Sequence, residues 1–232
     1  EADLLALVAH PDDELLFLGG TLPQYGTVLG KKVAVCYLTP SNTTRSSELL
    51  NGLWSMGLRA YPLIGPFGDG YSSTLKDGYR KFGGMGKVRA YVMGVIRQVK
   101  PRVIVTHDIA GEYGHGAHRA CADAAIWAVE NAADPQVEPA SAEAHGTWEV
   151  PKLYVHLYPE NQVRMDWRVP QAALGGRTPL EAAQDAYALH VTQQRTAFEV
   201  TDEGPYSSAL FGLYRSTVGP DRAKNDFLEN IP

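Results

Sequence analysis

Leu4-Leu5-Ala6-Leu7-Val8-Ala9-His10-Pro11-Asp12-Asp13-Glu14 decides how this chain is read. Leu4 to Val8 is a short apolar run without polar alternation, which suits a strand covered on both faces of a parallel sheet. His10, Asp12, Asp13 and Glu14 follow at once, and the apolar stretch Leu15 to Leu22 then predicts a helix. His10 to Glu14 therefore fall at the carboxyl end of a strand, where open α/β sheets build their sites. Two readings of these residues compete. Proline near the first helical position and acidic residues in the first turn are ordinary helix-start chemistry. Alternatively, His10 and Asp13 hold a divalent metal, and Asp12 beside them takes a proton from metal-bound water. The second reading requires further ligands elsewhere in the chain.

The whole chain sets the bounds. Its 232 residues fit one α/β domain spanning 1–232, with no linker-like composition shift. Lysine plus arginine number 21 against 26 acidic residues, a net charge of −5 without a basic stripe, which excludes a nucleic-acid footprint and points to a small-molecule partner. Cys36 lies in an apolar run and Cys121 in a predicted helix, so two buried thiols are expected and no disulfide framework. No apolar run reaches the roughly 20 residues of a membrane-spanning helix, and no signal peptide is present. A chain starting at Glu1 and poor in lysine points toward an exported protein with its leader removed, a cytoplasmic protein being the alternative.

Further units repeat the first. Val33 to Leu38 reads as a second buried strand, Thr39 to Thr44 as a loop rich in capping residues, and Ser46 to Met56 as a helix closed by Gly57. Ala60 to Ile64 is a short third strand. Gly65 to Gly86, dense in glycine and tyrosine, reads as a long surface excursion near the site. Phe82 to Lys87 lacks the GxxxxGK spacing of a phosphate loop. Val88 to Val99 is an amphipathic helix, Val103 to Val105 a fourth buried strand, Ala120 to Val129 a helix, Leu153 to Leu157 a strand, and Pro179 to Gln194 the last helix. The tail from Gly204 has no clear period. After the fourth strand, His115 and His118 sit three apart, and parallel winding brings them to the sheet edge that carries His10 and Asp13.

Taken together, Ala9-His10-Pro11-Asp12-Asp13-Glu14 and Tyr113-Gly114-His115-Gly116-Ala117-His118 resemble the paired motif of the PIG-L/LmbE superfamily of zinc-dependent N-deacetylases. Arg45-x-x-Glu48 and His190-Val191-Thr192-Gln193 resemble two further segments of that family, so the likeness spans roughly residues 3 to 195. The resemblance implies a Rossmann-like three-layer α/β fold with a mostly parallel central sheet and the site at the strand carboxyl ends. It also implies that His10, Asp13 and His118 hold Zn²⁺, Asp12 is the general base, His115 the general acid or cationic stabiliser, and Tyr113 the group that polarises the substrate carbonyl. Arg45 would bind substrate. The implied reaction removes acetyl from an N-acetylated amino sugar or glycoconjugate. The family usually has Asp immediately before the second histidine, where this chain has Ala117, so Asp108 or Glu112 is expected to approach His115 instead.

Other residues receive weaker roles: Glu14 caps the helix, His107 is structural, His190 packs near the pocket, and His145 and His156 carry no pattern. Two alternatives remain at the level of function, a zinc amidohydrolase acting on a non-sugar amide and a non-catalytic nucleotide- or sugar-binding α/β protein. Against the latter, no G-x-G-x-x-G follows the first strand.

Overall fold

The computed structural model describes residues 1–232. Its frame is a seven-stranded sheet in the order β3-β2-β1-β4-β5-β7-β6. The strands are β1 (Ala2–Val8), β2 (Val33–Tyr37), β3 (Leu63–Ile64), β4 (Pro101–Thr106), β5 (Lys152–His156), β6 (Gln162–Arg164) and β7 (Leu210–Ser216). The first five pair in parallel, while β7 runs antiparallel to both β5 and β6.

Period-two geometry divides each inner strand between two cores. Leu4, Ala6 and Val8 enter one apolar cluster with Val35, Val103, Val105 and Tyr154, and Leu5, Leu7 and Ala9 enter the other with Cys36, Ile104, Leu153 and Val155. Helices cover both faces. α1 (Asp13–Leu16), α2 (Thr43–Ser55) and α7 (Pro179–Ala188) pack on the first cluster, and α3 (Leu75–Lys81), α4 (Met85–Val99) and α5 (Gly116–Asn131) on the second. A short α6 (Pro139–His145) follows α5. The chain leaves β1 toward β2 and β3, then crosses back to place β4 on the other side of β1. The crevice between the carboxyl ends of β1 and β4 is thus the topological switch point, where such sheets bind ligands.

Several expected elements are shorter than read. The helix expected over Leu15 to Leu22 is broken: α1 stops at Leu16, Gly19 turns at φ +51°, and a π-helical turn covers Pro23–Val28. Gly19 and Gly20 lie so close to Ser208, Trp167 and Pro179 that no side chain fits there. The third strand keeps only Leu63–Ile64, since Pro62 has no N–H to offer a ladder. α7 ends at Ala188 because the Gln194 amide takes the carbonyls of Tyr187 (2.7 Å) and His190 (3.2 Å). Both cysteines are buried and free.

Two regions without period are ordered by tertiary contacts. The tail supplies β7 and then returns under β5, where the buried Lys152 and Tyr154 both bind Asp221. The Gly65 to Gly86 excursion contains α3, whose N-cap Thr74 accepts from Asp77 N–H (3.1 Å), and it docks on the first turn of α5. That docking runs through two glycines. A Cβ on Gly78 would overlap the Gly116 carbonyl, a Cβ on Gly116 would meet Ser72 and Thr74, and the Gly116 N–H donates to Ser72 O at 2.7 Å. Gly78→Ala is expected to lower stability by about 1–3 kcal/mol, as overpacking does. Thermal unfolding checks this, and an unchanged midpoint would show that α3 moves aside without cost.

Candidate metal centre and its cavity

Each switch-point residue is placed by the end of an element. His10 follows β1 and is held by Asp13, whose Oδ2 accepts from the His10 backbone N–H (2.7 Å) and from Nδ1 (3.0 Å). The Nε2 edge of His10 is therefore the one left for another partner. Asp13 opens α1, and its Oδ1 lies 3.3 Å from His118 Nε2. His118 projects from the first turn of α5 and is fully buried, with Nδ1 on Glu112 (2.9 Å) and Nε2 without a hydrogen-bond partner.

A buried nitrogen left unpaired is costly, so this orphan tests whether a metal belongs here. The 3.3 Å between Asp13 Oδ1 and His118 Nε2 is close to the edge of a tetrahedron with metal bonds of about 2.0–2.1 Å. Nitrogen and oxygen donors from His10, His115 and His118, and from Asp13, His107 and His118, lie within 4.8 Å of one another in each group. His107 is excluded as a ligand by its own hydrogen bonds. Its Nε2 accepts the Ala9 N–H (3.0 Å), which occupies that lone pair and leaves the proton on Nδ1, toward Glu112 (2.8 Å). With His107 engaged, the donors of the two groups left for a divalent ion are His10, Asp13, His115 and His118.

Asp12 adopts φ +111°, in the left-handed region that non-glycine residues avoid. Three contacts hold it there. The Asp12 N–H donates to Glu14 (3.0 Å), Arg45 pairs with its carboxylate (2.8 Å), and Arg45 also donates to the Pro11 carbonyl. Glu14 thus caps α1 by binding backbone of the site itself, and burial pushes its carboxyl up to about 7. Burial likewise holds the Asp12 carboxyl well above the usual range, with Arg45 opposing and Asp13 and Glu14 reinforcing.

Tyr113 also lies in the left-handed region, at φ +45°, in the turn before α5, with its ring edge-on to His118 (5.2 Å) and against Phe198 (4.7 Å). His115 is the N-cap residue of α5, its ring 4.8 Å from that of His118 and 5.0 Å from that of His10. The carboxylate partner expected for it is absent. Asp108 accepts from Ala110 N–H and Glu112 turns to other imidazoles, so His115 Nδ1 is buried without a partner. Burial and the flanking His118 and His10 push its pKa down to about 3.

His10, Asp12, Asp13, Arg45, Tyr113 and His115 line one cavity of about 220 Å³. Asp69 and Tyr71 of the excursion also line the cavity, and the sequence reading did not single them out. Asp69 Oδ1 lies 3.4 Å from His10 Nε2, and its Oδ2 accepts from Ser41 (2.6 Å). The pairing with His10 holds the Asp69 carboxyl below its ordinary range. Glu48 binds the Thr192 N–H (2.9 Å) and hydroxyl (2.7 Å), which joins the Arg45-x-x-Glu48 helix to the His190 segment and brings Gln193 to the cavity wall. A larger groove of about 860 Å³ beside α3 contains no histidine, and its one carboxylate, Asp123, is already paired with Arg89.

Imidazole and carboxylate donors gathered at the switch point of a mostly parallel sheet, with the Asp12 carboxyl beside them, define a candidate metal centre. The family described as PIG-L, GlcNAc-PI de-N-acetylase, matches residues 5–129, over half of the chain. The chain belongs to the PIG-L family. It is 29% identical to a 1D-myo-inositol 2-acetamido-2-deoxy-alpha-D-glucopyranoside deacetylase of Geodermatophilus obscurus, over 78% of this chain and 70% of that protein. With the enzyme of the same name from Streptomyces avermitilis it shares 27% identity, over 92% and 81%. The N,N'-diacetylchitobiose deacetylase of Pyrococcus horikoshii has the same fold, with a TM-score of 0.60 at 17% identity over 83% of this chain and 71% of that one. No helix of the structure is long and apolar enough to cross a membrane.

His190 lies behind Arg45 with both ring nitrogens buried and unpartnered, and burial lowers its pKa to about 4. The unfolded chain takes up this proton below about pH 6.5, whereas the folded chain refuses it until about pH 4. Stability from this group is therefore fully present above pH 6.5 and is lost as pH falls toward 4, by about 3 kcal/mol in all. Denaturant unfolding of the parent and His190→Leu between pH 7 and 4 checks the sign. The variant should lose less stability on acidification, and parallel curves would refute the assignment.

Proposed function

We propose that this protein is a zinc-dependent N-deacetylase that hydrolyses the acetamide of an N-acetylated amino sugar or glycoconjugate. Membership of the PIG-L family supports the reaction class. The observation that carries the site is the buried, unpartnered Nε2 of His118 facing Asp13 Oδ1, with Asp13 itself lining a cavity beside Asp12, Tyr113 and His115. His10, Asp13 and His118 would hold the ion, which when bound supplies a more acidic water and polarises the amide carbonyl.

The chain's own groups do the rest. Asp12 receives the proton of the attacking water, and burial raises its carboxyl toward the range where a base also returns protons readily. The Tyr113 hydroxyl donates to the oxygen that gains charge as the carbonyl carbon becomes tetrahedral, a contact worth roughly 3 kcal/mol in comparable sites. Burial and the neighbouring His118 and His10 push the His115 pKa down to about 3, which favours the neutral ring. His115 therefore acts as a neutral hydrogen-bonding group, and Asp12 passes its proton to the departing amine. Asp69 and Arg45 face the same cavity and suit sugar hydroxyls. At about 220 Å³ the cavity is smaller than the ~300–1,000 Å³ that encloses a drug-sized ligand, so one sugar ring enters acetamide first and the rest of a glycoconjugate stays outside.

Acetate release from a panel of N-acetylated sugars and non-sugar acetamides, with and without a chelator, tests the proposal. Release from a sugar that stops on chelation and returns with Zn²⁺ is expected, and release only from non-sugar amides, or none at all, would overturn it. Asp12→Asn should keep its metal while kcat falls by roughly 10²- to 10⁴-fold. Parallel loss of metal would make Asp12 a ligand. His115→Ala should lower kcat/KM uniformly with pH, and disappearance of the alkaline limb would instead show that His115 is the acid.

A further inference from the structure

Glu112 immediately precedes Tyr113, and the reading of the reaction gives it no part. It is fully buried at the centre of the strand ends. Its Oε2 accepts from His107 Nδ1 (2.8 Å) and His118 Nδ1 (2.9 Å), and its Oε1 from His156 Nδ1 (2.7 Å) and Asp108 N–H (3.1 Å). A carboxylate has about four lone-pair positions, and all four are filled. These hydrogen bonds keep Glu112 ionised although burial opposes it.

The partners radiate to every element of the candidate metal centre. His118 belongs to α5. His107, at the end of β4, uses its other nitrogen to accept the Ala9 N–H, one residue before His10. His156 ends β5 and donates through Nε2 to Ser207 O (3.0 Å), in the segment that leads into β7. One carboxylate thus fixes both the ring of one proposed ligand and the backbone that aims another.

The geometry points to Glu112 as the positioning residue of the metal centre, which sets the His118 tautomer with the proton on Nδ1 and the lone pair of Nε2 toward the ion. This inference rests on the reading of His118 as a metal ligand. Carboxylates behind metal-bound histidines orient the ring and raise its basicity, and their loss typically weakens metal binding by 10- to 100-fold. Glu112→Gln is the sharpest substitution, because it keeps the shape while an amide NH₂ replaces one acceptor oxygen. If that NH₂ faces His118, the ring must turn its proton to Nε2 and present no lone pair to the ion.

The test is Zn²⁺ affinity, measured by competition with a chromophoric chelator on the parent and on E112Q, with thermal unfolding followed in parallel. A folded E112Q that binds Zn²⁺ at least 10-fold more weakly is expected. A folded E112Q with parent-like affinity overturns the inference. If E112Q does not fold, ¹⁵N shifts of the histidines in the zinc-loaded parent decide. His118 metallated at Nε2 and protonated at Nδ1 supports the assignment, and metallation at Nδ1 overturns it. A parent that binds no Zn²⁺ overturns the metal centre itself, and this inference with it.

Discussion

A carboxylate with no exposure is tolerated only when every lone pair has a donor, because desolvating an ion costs several kcal/mol that must be recovered in hydrogen bonds. Glu112 meets that condition with three imidazoles and one backbone amide. Without it, the Nδ1 atoms of His107, His118 and His156 would be buried without a partner where the carboxyl ends of β4 and β5 meet the first turn of α5. The parallel sheet creates the crevice, and Glu112 makes it possible to fill that crevice with polar groups. Fully satisfied networks of this kind specify one arrangement, since each alternative rotamer leaves a buried donor or acceptor empty.

A second constraint explains a departure from the family pattern. The resemblance leads one to expect Asp immediately before the second histidine, where this chain has Gly116-Ala117. The Gly65 to Gly86 excursion crosses at this point, with the Gly116 N–H bound to Ser72 O and no space for a side chain beside Thr74. Any side chain at Gly116 would overlap Ser72 and the Thr74 carbonyl. Ala117 is itself buried among apolar residues between α5 and the sheet, where a carboxylate would lie unpaired. What the chain gives up in a carboxylate near His115 it gains in a docked excursion, which delivers Asp69 and Tyr71 to the cavity.

The legible parts of the sequence were those whose signal is local. Leu4 to Val8 is buried on both sides because an apolar run of that length has few other uses, and the two motifs lie at the strand ends that parallel winding assigns to them. The antiparallel pair β6 and β7 was not legible, because β6 has three residues and β7 begins in an apolar stretch with no turn signal shared with its partner. The hydrogen bonds of Glu112 to His107, His118 and His156 were not legible for a different reason, and Glu112 had been expected beside His115 instead. His107 and Glu112 share one loop, but His156 lies 44 residues further on and reaches Glu112 only because β5 pairs with β4. Asp69 sits in an aperiodic loop whose path depends on Gly78 meeting Gly116, a contact between residues 38 apart in the chain.

Arg45, expected to bind substrate, lines the cavity with its guanidinium already engaged. As a substrate group it would be expected to hold its guanidinium open to the cavity, yet it contacts Asp12, the Pro11 carbonyl and Ser41 (3.2 Å). The reason lies in the backbone: a non-glycine residue at φ +111° costs on the order of 1–3 kcal/mol and persists only where its surroundings over-determine it. Arg45 and Glu14 supply those surroundings from two different helices, one from its side chain and one through the Asp12 N–H. The same guanidinium also opposes the upward push of burial on the Asp12 carboxyl. Its contact therefore sets both where the Asp12 oxygen points and how readily it takes a proton, so loss of Arg45 would disturb base strength as well as any hold on a sugar.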